Sequence, residues 1–247
     1  MPTQEPTILA TSGGIRPGHR SRVEFNSLVH HAVELSGTTG TTGNSAGPRV
    51  CHIGTASGDQ RWWAGELNEA ARIAGFRLSH LNLFTMPSVE DIEAHLLEQD
   101  VIWVGGGSVV NLLAVWRAHG LDQILRRVWQ AGVVLTGVSA GSICWFNGGS
   151  TDSFGPELSG VDNALGFLPY GNGVHYDSEA RRRPVIHDLV DRGVLGETHC
   201  TDDGVGLLYR GTTLIEAVSE QPGKGAYLVR RNGNEVTEER IEPRYLG

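Results

Sequence analysis

From residue 6 to residue 146, short apolar runs alternate with segments that carry the spacing of an amphipathic helix. Strands separated by helices in this way form a mainly parallel sheet with helices packed on both faces. The alternation therefore favours an α/β fold, organised as one domain over residues 1–247. The predicted strands are residues 6–10, 49–54, 77–84, 100–104 and 133–137, and the predicted helices are residues 23–35, 63–74, 88–98, 110–117, 121–130 and 142–146.

After residue 205 the pattern changes to short β-like runs separated by glycine turns. Runs at residues 206–209, 213–218 and 226–229 are divided by Arg210-Gly211 and Pro222-Gly223. Such turns between β-like runs are typical of hairpins, so we expect C-terminal β-hairpins that complete the sheet. A separate stretch at residues 37–47, rich in Gly, Thr, Ser and Asn, is predicted to be a flexible loop.

Charge and composition exclude several classes of partner. The formal net charge of -8 leaves no basic stripe for a phosphate backbone, and no run of about 18 apolar residues could span a membrane. The first residues lack the pattern of a secretory signal, and three scattered cysteines provide neither a disulfide framework nor a paired-cysteine zinc site. We expect a cytoplasmic protein that binds neither nucleic acid nor membrane; the sequence indicates no oligomeric state.

The sequence G-V-S-A-G at residues 137–141 matches the G-x-S-x-G nucleophile elbow. In that motif a sharp turn between strand and helix exposes a serine hydroxyl, and small neighbours prevent a clash across the turn. Backbone N–H groups at the start of the helix then face developing negative charge. The alternative is a tight turn without chemistry, but the predicted strand and helix on either side favour Ser139 as a nucleophile.

A nucleophilic serine needs a base, and the chain contains ten histidines. Most of them lie within predicted helices or strands. His175 follows the glycine-rich stretch at residues 169–174, which is predicted to be a loop between elements. Catalytic groups concentrate on such loops, so His175 is the preferred base. The alternative is a loop histidine that caps a backbone carbonyl.

Three consecutive glycines, Gly105-Gly106-Gly107, follow the predicted strand at residues 100–104. Their backbone could approach a substrate closely and supply an oxyanion donor, or it could form a phosphate-binding turn. No Lys-Ser/Thr pair follows them, and the G-x-G-x-x-G spacing is absent. The oxyanion role becomes attractive in partnership with Ser139.

The order of these motifs resembles the peptidase E family of serine dipeptidases, whose fold is that of class I glutamine amidotransferases. In that family a Gly-Gly-Gly turn, a G-x-S-A-G elbow and a Pro-to-His segment follow one another, as residues 105–107, 137–141 and 169–175 do here. The resemblance implies Ser139 as nucleophile, His175 as general base, and the N–H groups of Gly107 and Ala140 as the oxyanion hole. Glutamine amidotransferases carry cysteine at the elbow, so serine argues against glutamine hydrolysis.

The third member of the implied triad stays open. Family members carry an acidic residue between the serine and the histidine, and Asp152 is the nearest match in this interval. Glu157 is the competitor, because the related cyanophycinases use a glutamate here, and Asp162 is a third candidate. Either Asp152 or Glu157 would orient the imidazole of His175.

Peptidase E enzymes cleave dipeptides with an N-terminal aspartate. In that family an arginine just after the histidine segment recognises the carboxylate of this aspartate. Arg181 stands in the matching position, and a guanidinium can bind a carboxylate through two hydrogen bonds. The alternative is that Arg181 and the two arginines after it are a solvated helix start.

The preferred hypothesis is a serine exopeptidase that hydrolyses short peptides, chiefly dipeptides with N-terminal aspartate, through an acyl-enzyme. Two other hypotheses stay open: an esterase of the α/β-hydrolase type, and a non-catalytic amidotransferase-like module that binds a ligand. We expect no cofactor and no metal, because the His175-x-Asp177 pair supplies two ligands at best.

Overall fold

The computed structural model describes residues 5–38 and 47–247, so the loop predicted at residues 37–47 lies largely outside the described residues. The strands in the described ranges are β1 (Thr7–Thr11), β2 (Ile15–Pro17), β3 (Val23–Phe25), β4 (Arg49–Ile53), β5 (Arg77–Leu81), β6 (Val101–Val104), β7 (Val134–Val138), β8 (Gly148–Thr151), β9 (Ser159–Val161), β10 (Gly171–Gly173), β11 (Thr198–Thr201), β12 (Val205–Arg210), β13 (Thr213–Ser219), β14 (Ala226–Asn232), β15 (Glu235–Ile241) and β16 (Arg244–Tyr245). The helices are α1 (Ser27–Leu35), α2 (Arg61–Ala74), α3 (Ile92–Leu97), α4 (Val109–Ala118), α5 (Leu121–Gln130), α6 (Ala140–Ile143) and α7 (Arg182–Asp191), and a 3-10 turn covers Thr55–Ser57.

The apolar runs form the centre of an eight-stranded sheet. Its parallel strands lie in the order β1-β7-β6-β4-β5, and β12, β13 and β16 extend it beyond β1. Strand β12 is antiparallel to both β1 and β13. The mainly parallel α/β sheet predicted from the sequence is therefore confirmed.

Helices cover both faces of this sheet because successive side chains of each strand point to opposite sides. In β6, Val101 and Trp103 pack with α1 and α2, whereas Ile102 and Val104 pack with the helices of the other face. The first face contributes Leu28 and the neighbouring apolar residues of α1. The opposite core includes buried residues of α3, α4 and α5, among them Leu96, Leu112, Leu113, Leu125 and Val128.

A second, six-stranded sheet has the order β15-β14-β11-β10-β8-β9. Strand β10 is parallel to both β8 and β11, and the remaining pairs are antiparallel. The prediction that the C-terminal hairpins complete the main sheet is correct for β12 and β13 and wrong for β14, which lies in the second sheet together with β15, a strand beyond the predicted runs. Strand β14 pairs with β11 instead, because Val229 packs against α7 in a separate apolar cluster. The short, glycine-rich strands β8 and β10 lack the apolar alternation that would have predicted this sheet.

Several helix boundaries are confirmed and others are shifted. Helix α2 ends at a left-handed Gly75, as predicted, and Gly120 separates α4 from α5. The helix predicted from residue 23 begins only at Ser27, because the side chain of Asn26 accepts a hydrogen bond from the amide of Val29 and caps the helix there. Residues 23–25 instead form β3, which pairs with β2.

Two further segments are shorter than predicted. The strand predicted to residue 84 ends at Leu81, because the carboxylate of Asp59 accepts hydrogen bonds from the amides of Leu83 and Phe84. The helix predicted from residue 88 begins after Asp91, whose side chain caps it. Among the described helices, none combines the length and the apolar character that a membrane span requires.

Candidate active site

The carboxyl ends of the parallel strands meet at one edge of the main sheet, where loops of α/β proteins gather their functional groups. Strand β1 leads there to Ser12, β6 leads to Gly105–Gly107, and β7 leads to Ser139. Gly106 lies against the serine, since a Cβ at Gly106 would be 3.3 Å from the Cβ of Ser139. The sheet thus brings the glycine turn and the elbow together.

Ser139 occupies a strained backbone conformation between β7 and α6. Its φ of 58° and ψ of -116° lie outside the ordinary regions for a residue with a side chain. The flanking glycines permit this turn: a Cβ at Gly137 would lie 2.2 Å from the carbonyl oxygen of Gly141, and one at Gly141 would lie 2.3 Å from that of Val104. The turn is therefore the strand-to-helix elbow that the G-V-S-A-G pattern predicts.

Two backbone N–H groups beside Ser139 are available to a substrate. In the described part of the chain, the amides of Gly107 and Ala140 donate to no protein acceptor. Gly107 has a φ of 138°, and a Cβ there would lie 2.3 Å from the carbonyl oxygen of Ala56, so only glycine fits the turn. Free amides next to a serine hydroxyl can stabilise an oxyanion.

His175 comes from the second sheet. It follows β10, has a φ of 54°, and donates its backbone N–H to Oγ of Ser12 over 3.1 Å. Oγ of Ser12 lies 2.6 Å from Oγ1 of Thr201 at the end of β11. His175 and Ser139 line the same cavity of about 430 Å³, together with Gly107, Asp152 and other polar residues.

The acid that contacts His175 is Asp203. Its Oδ1 atom lies 2.5 Å from Nδ1 of the imidazole. The expectation that Asp152 or Glu157 orients His175 is therefore wrong in geometry, and Asp162 makes no such contact within the described chain. Strands β10 and β11 are parallel, with Gly173 opposite Cys200, so the residues that follow them reach the same edge.

A sequence signal for Asp203 existed, because Thr201-Asp202-Asp203-Gly204 is an acidic turn between two apolar strands. The family resemblance instead implies an acid between Ser139 and His175, an interval that does not include this turn.

A network of charges supports Asp203. Its backbone N–H donates to Oδ1 of Asp177 over 2.9 Å, and the other carboxylate oxygen of Asp177 pairs with Lys224. Partial burial opposes ionisation of Asp177, yet the hydrogen bonds from Lys224 and Asp203 leave its pKa below the ordinary value. The neighbouring Asp202 is buried more deeply, and burial raises its pKa. The hydrogen bond to Asp177 and the burial of Asp202 thus hold the turn that carries Asp203 in place.

Asp152 and Glu157 occupy different environments in the loop between β8 and β9. Asp152 lines the cavity of Ser139, and its carboxylate is exposed and has no hydrogen bond or ion pair to any described residue. Glu157 lies outside that cavity, where its Oε2 atom pairs with Arg181 at 2.5 Å. Asp152 therefore places an unpaired carboxyl group in the cavity that Ser139 lines.

The arginine in the cavity is Arg182 and not Arg181. Arg181 turns outward to Glu157 and lines a neighbouring cavity of about 370 Å³ that shares Asp152 with the first. Arg182 is buried, binds Glu179 through two nitrogen atoms, and donates to the carbonyl oxygen of Ser150 over 2.6 Å. Because α7 begins at Arg182, the two neighbouring side chains diverge, and the predicted carboxylate site at Arg181 is not formed next to Ser139.

Known proteins resemble this chain in sequence and in fold. The model of peptidase family S51 matches residues 27–217. The uncharacterized peptidase YgaJ of Bacillus subtilis strain 168 is 42% identical over 200 residues, which cover 81% of this chain and 86% of that protein.

Two crystal structures share the fold at low identity. A peptidase from an acI-B1 Actinobacterium has a TM-score of 0.69 at 15% identity, covering 98% of this chain and 96% of that one. A putative peptidase E protein from Listeria monocytogenes EGD-e has a TM-score of 0.56 at 18% identity, covering 96% of this chain and 100% of that one. At these identities the likeness concerns the fold.

Proposed function

The chain belongs to peptidase family S51 and is a peptidase, and we propose that it is a serine exopeptidase with Ser139 as nucleophile and His175 as general base. The observation that carries the proposal is the common cavity of Ser139 and His175, with Asp203 bound to the far side of the imidazole. Nucleophile, base and orienting acid in that relation are the elements of acyl transfer.

In the proposed mechanism, Nε2 of His175 accepts the proton of the Ser139 hydroxyl as Oγ attacks the peptide carbonyl carbon. The carbonyl oxygen becomes negative and accepts hydrogen bonds from the amides of Gly107 and Ala140. His175 then donates the proton to the departing amine, and the C–N bond breaks to leave an acyl-enzyme. Water, deprotonated by the same imidazole, attacks the ester and restores the serine.

Asp203 supports this cycle without exchanging a proton itself. Its carboxylate accepts a hydrogen bond from the Nδ1–H of His175, which leaves Nε2 as the basic nitrogen in the neutral imidazole. When His175 becomes an imidazolium, the adjacent negative charge stabilises it. The positive φ of His175 and the hydrogen bond from its backbone N–H to Ser12 fix the position of the backbone from which the imidazole ring extends.

We propose that Asp152 binds the α-ammonium group of the substrate. Its unpaired carboxylate in the cavity of Ser139 supplies the charge that a free N-terminus requires. An ammonium group bound there would hold the free N-terminus of the substrate in the cavity that Ser139 lines, which favours cleavage close to the N-terminus, as an exopeptidase requires. This assignment gives Asp152 a role in binding in place of the triad role that the resemblance implied.

A preference for N-terminal aspartate is a finer part of the proposal. Arg181 lines the cavity adjacent to Asp152, and its ion pair with Glu157 is exposed. Exposed pairs contribute about 0–1 kcal/mol, so a substrate carboxylate could displace Glu157 at small cost. Arg181 is therefore the group in the neighbouring cavity that binds the side-chain carboxylate of a substrate aspartate.

The test is covalent labelling and hydrolysis by purified protein and its Ser139→Ala variant. We expect a fluorophosphonate probe to label the wild type and not the variant, and we expect hydrolysis of Asp-Leu to disappear with Ser139. Ala-Leu and p-nitrophenyl acetate serve as substrate controls for the aspartate preference and for esterase activity. Absence of both labelling and turnover in the wild type would contradict the proposal and favour a ligand-binding module.

A further inference from the structure

A second cavity, of about 380 Å³, adjoins the cavity of Ser139 at the glycine turn. An apolar site of about 150 Å³ holds one benzene ring, so this volume accommodates an aromatic side chain and its flanking atoms. Its walls are mainly apolar and aromatic, and they include Ile15, Trp62, Trp63, Trp103 and Val138.

The walls of this cavity carry no charge at neutral pH. Among the described residues that line it there is no Asp, Glu, Lys or Arg. His52 is its titratable group, and burial together with the neighbouring His80 lowers the pKa of His52 to about 3, so the imidazole is neutral. A charged substrate group would lose its hydration here without gaining a partner, whereas an apolar group would gain from leaving water.

The cavity shares a wall with the proposed reaction centre. Val138 immediately precedes Ser139, and Gly106 faces Ser139 closely enough that a Cβ there would be 3.3 Å from the serine Cβ. Gly105 and Gly106 line the apolar cavity, whereas Gly107 lines the polar one. The two cavities therefore adjoin each other at the glycine turn beside Ser139.

An extended peptide bound across Ser139 would use both cavities, because successive side chains of an extended chain point in opposite directions. If Asp152 binds the substrate ammonium, the first residue occupies the polar cavity. The side chain of the second residue, which leaves with the amine, then projects to the opposite side. The apolar cavity adjoins Ser139 through Val138 and Gly106, and it has the volume and the apolar walls to receive that side chain.

Trp62 is held at the rim of the apolar cavity although it is 57% exposed. Its indole N–H donates to Oε1 of Gln60 over 2.7 Å, the guanidinium of Arg22 lies 5.6 Å from its ring, and its ring packs edge-on against Trp63. An exposed tryptophan fixed in this way presents a ready apolar surface to a ligand.

We propose that this cavity binds the side chain of the residue after the scissile bond and selects large apolar residues there. Trp62 forms the outer wall of the cavity and contacts that side chain. The inference rests on the proposed function for the orientation of the substrate. The substrate class becomes a short peptide, free at its N-terminus, whose second residue is aromatic or large and aliphatic.

Binding to the Ser139→Ala variant tests this inference without requiring turnover. Calorimetry should give a Kd for Asp-Phe roughly tenfold or more below that for Asp-Ala, because burying a phenylalanine side chain is worth about that much. Adding Trp62→Ala should remove most of the difference. Tyr245→Ala is the matched control, since Tyr245 is 54% exposed on β16 and is not among the residues that line the cavity.

Equal affinities for Asp-Phe and Asp-Ala, undetectable binding of Asp-Phe, or a difference that survives Trp62→Ala would each overturn the inference. Failure of the proposed function has another signature. In that case the wild type would leave both dipeptides intact and resist the fluorophosphonate, while the difference in binding between them, and its loss in Trp62→Ala, would persist.

Discussion

Asp203 lies 2.5 Å from Nδ1 of His175, although the two residues are 28 positions apart in the chain and follow different strands. The contact exists because β10 and β11 are parallel neighbours, so both residues emerge at one edge of the second sheet. The acid that contacts His175 thus follows the histidine in sequence, whereas the family resemblance predicts an acid before it.

Asp203→Asn should lower kcat by roughly a factor of 10³ to 10⁴ while KM changes little, because an amide can donate its N–H to Nδ1 and reverse the tautomer of His175. The measurement is steady-state hydrolysis of Asp-Leu. Asp162→Asn, which alters an exposed aspartate away from the cavity, is the control and should match the wild type. Near-normal kcat in Asp203→Asn would remove Asp203 from the mechanism.

Asp152→Asn should act on binding. Loss of the charge that meets the substrate ammonium is expected to raise KM for free dipeptides roughly tenfold or more. Asp162→Asn is the control, because Asp162 is an exposed aspartate outside the cavity and makes no ion pair within the described chain. A fall in kcat at unchanged KM would instead return Asp152 to a catalytic role.

Gly141→Ala should destabilise the protein by about 1–3 kcal/mol or more, since the added methyl group would overlap the carbonyl of Val104 at 2.3 Å. Gly65→Ala provides the contrast. Gly65 is exposed in the middle of α2 with no atom within 4 Å of an added Cβ, so alanine there should stabilise by about 0.5–1 kcal/mol. Urea denaturation followed by circular dichroism measures both, and a neutral Gly141→Ala would show that the elbow can relax.

His52 should make the fold sensitive to mild acid. The pKa of His52 is lowered from its ordinary value of 6.5 to about 3 in the folded state. The unfolded chain therefore binds the proton more readily, and stability falls as the pH drops below about 6.5. At pH 5 this contribution is on the order of 1–2 kcal/mol. Denaturation curves at pH 7 and pH 5 should show a smaller loss in His52→Gln than in the wild type, with the exposed His119→Gln as control. Equal losses in all three proteins would contradict a buried neutral His52.

The sequence predicted what local patterns encode. Spacing and residue size predict the apolar strands, the helices between them and the turn at Ser139. The glycine-rich loop before His175 distinguishes this histidine from most of the others. The contact of Asp203 with His175 and the order of the second sheet depend on which short strands become neighbours. Strands of three or four glycine-rich residues carry little information about their partners.

Arg181 illustrates the same limit on a smaller scale. In the sequence, only the resemblance to the peptidase E family favours Arg181 over Arg182 as the substrate-binding arginine. In the structure, the start of α7 decides which of the two side chains faces the cavity. A shift of one residue at a helix start exchanges an exposed arginine for a buried one, and no spacing rule at the sequence level resolves that shift.

Ser139 and the glycine turn belong to the main sheet, whereas His175 and Asp203 belong to the second, and Ser12 and Thr201 join the two halves. The distance between Ser139 and His175 is therefore set by how the second sheet packs against the first. Residues in that junction, which never touch a substrate, can tune the reaction rate by adjusting alignment alone. Homologues with identical reacting groups could thus differ widely in speed through changes in packing between their sheets.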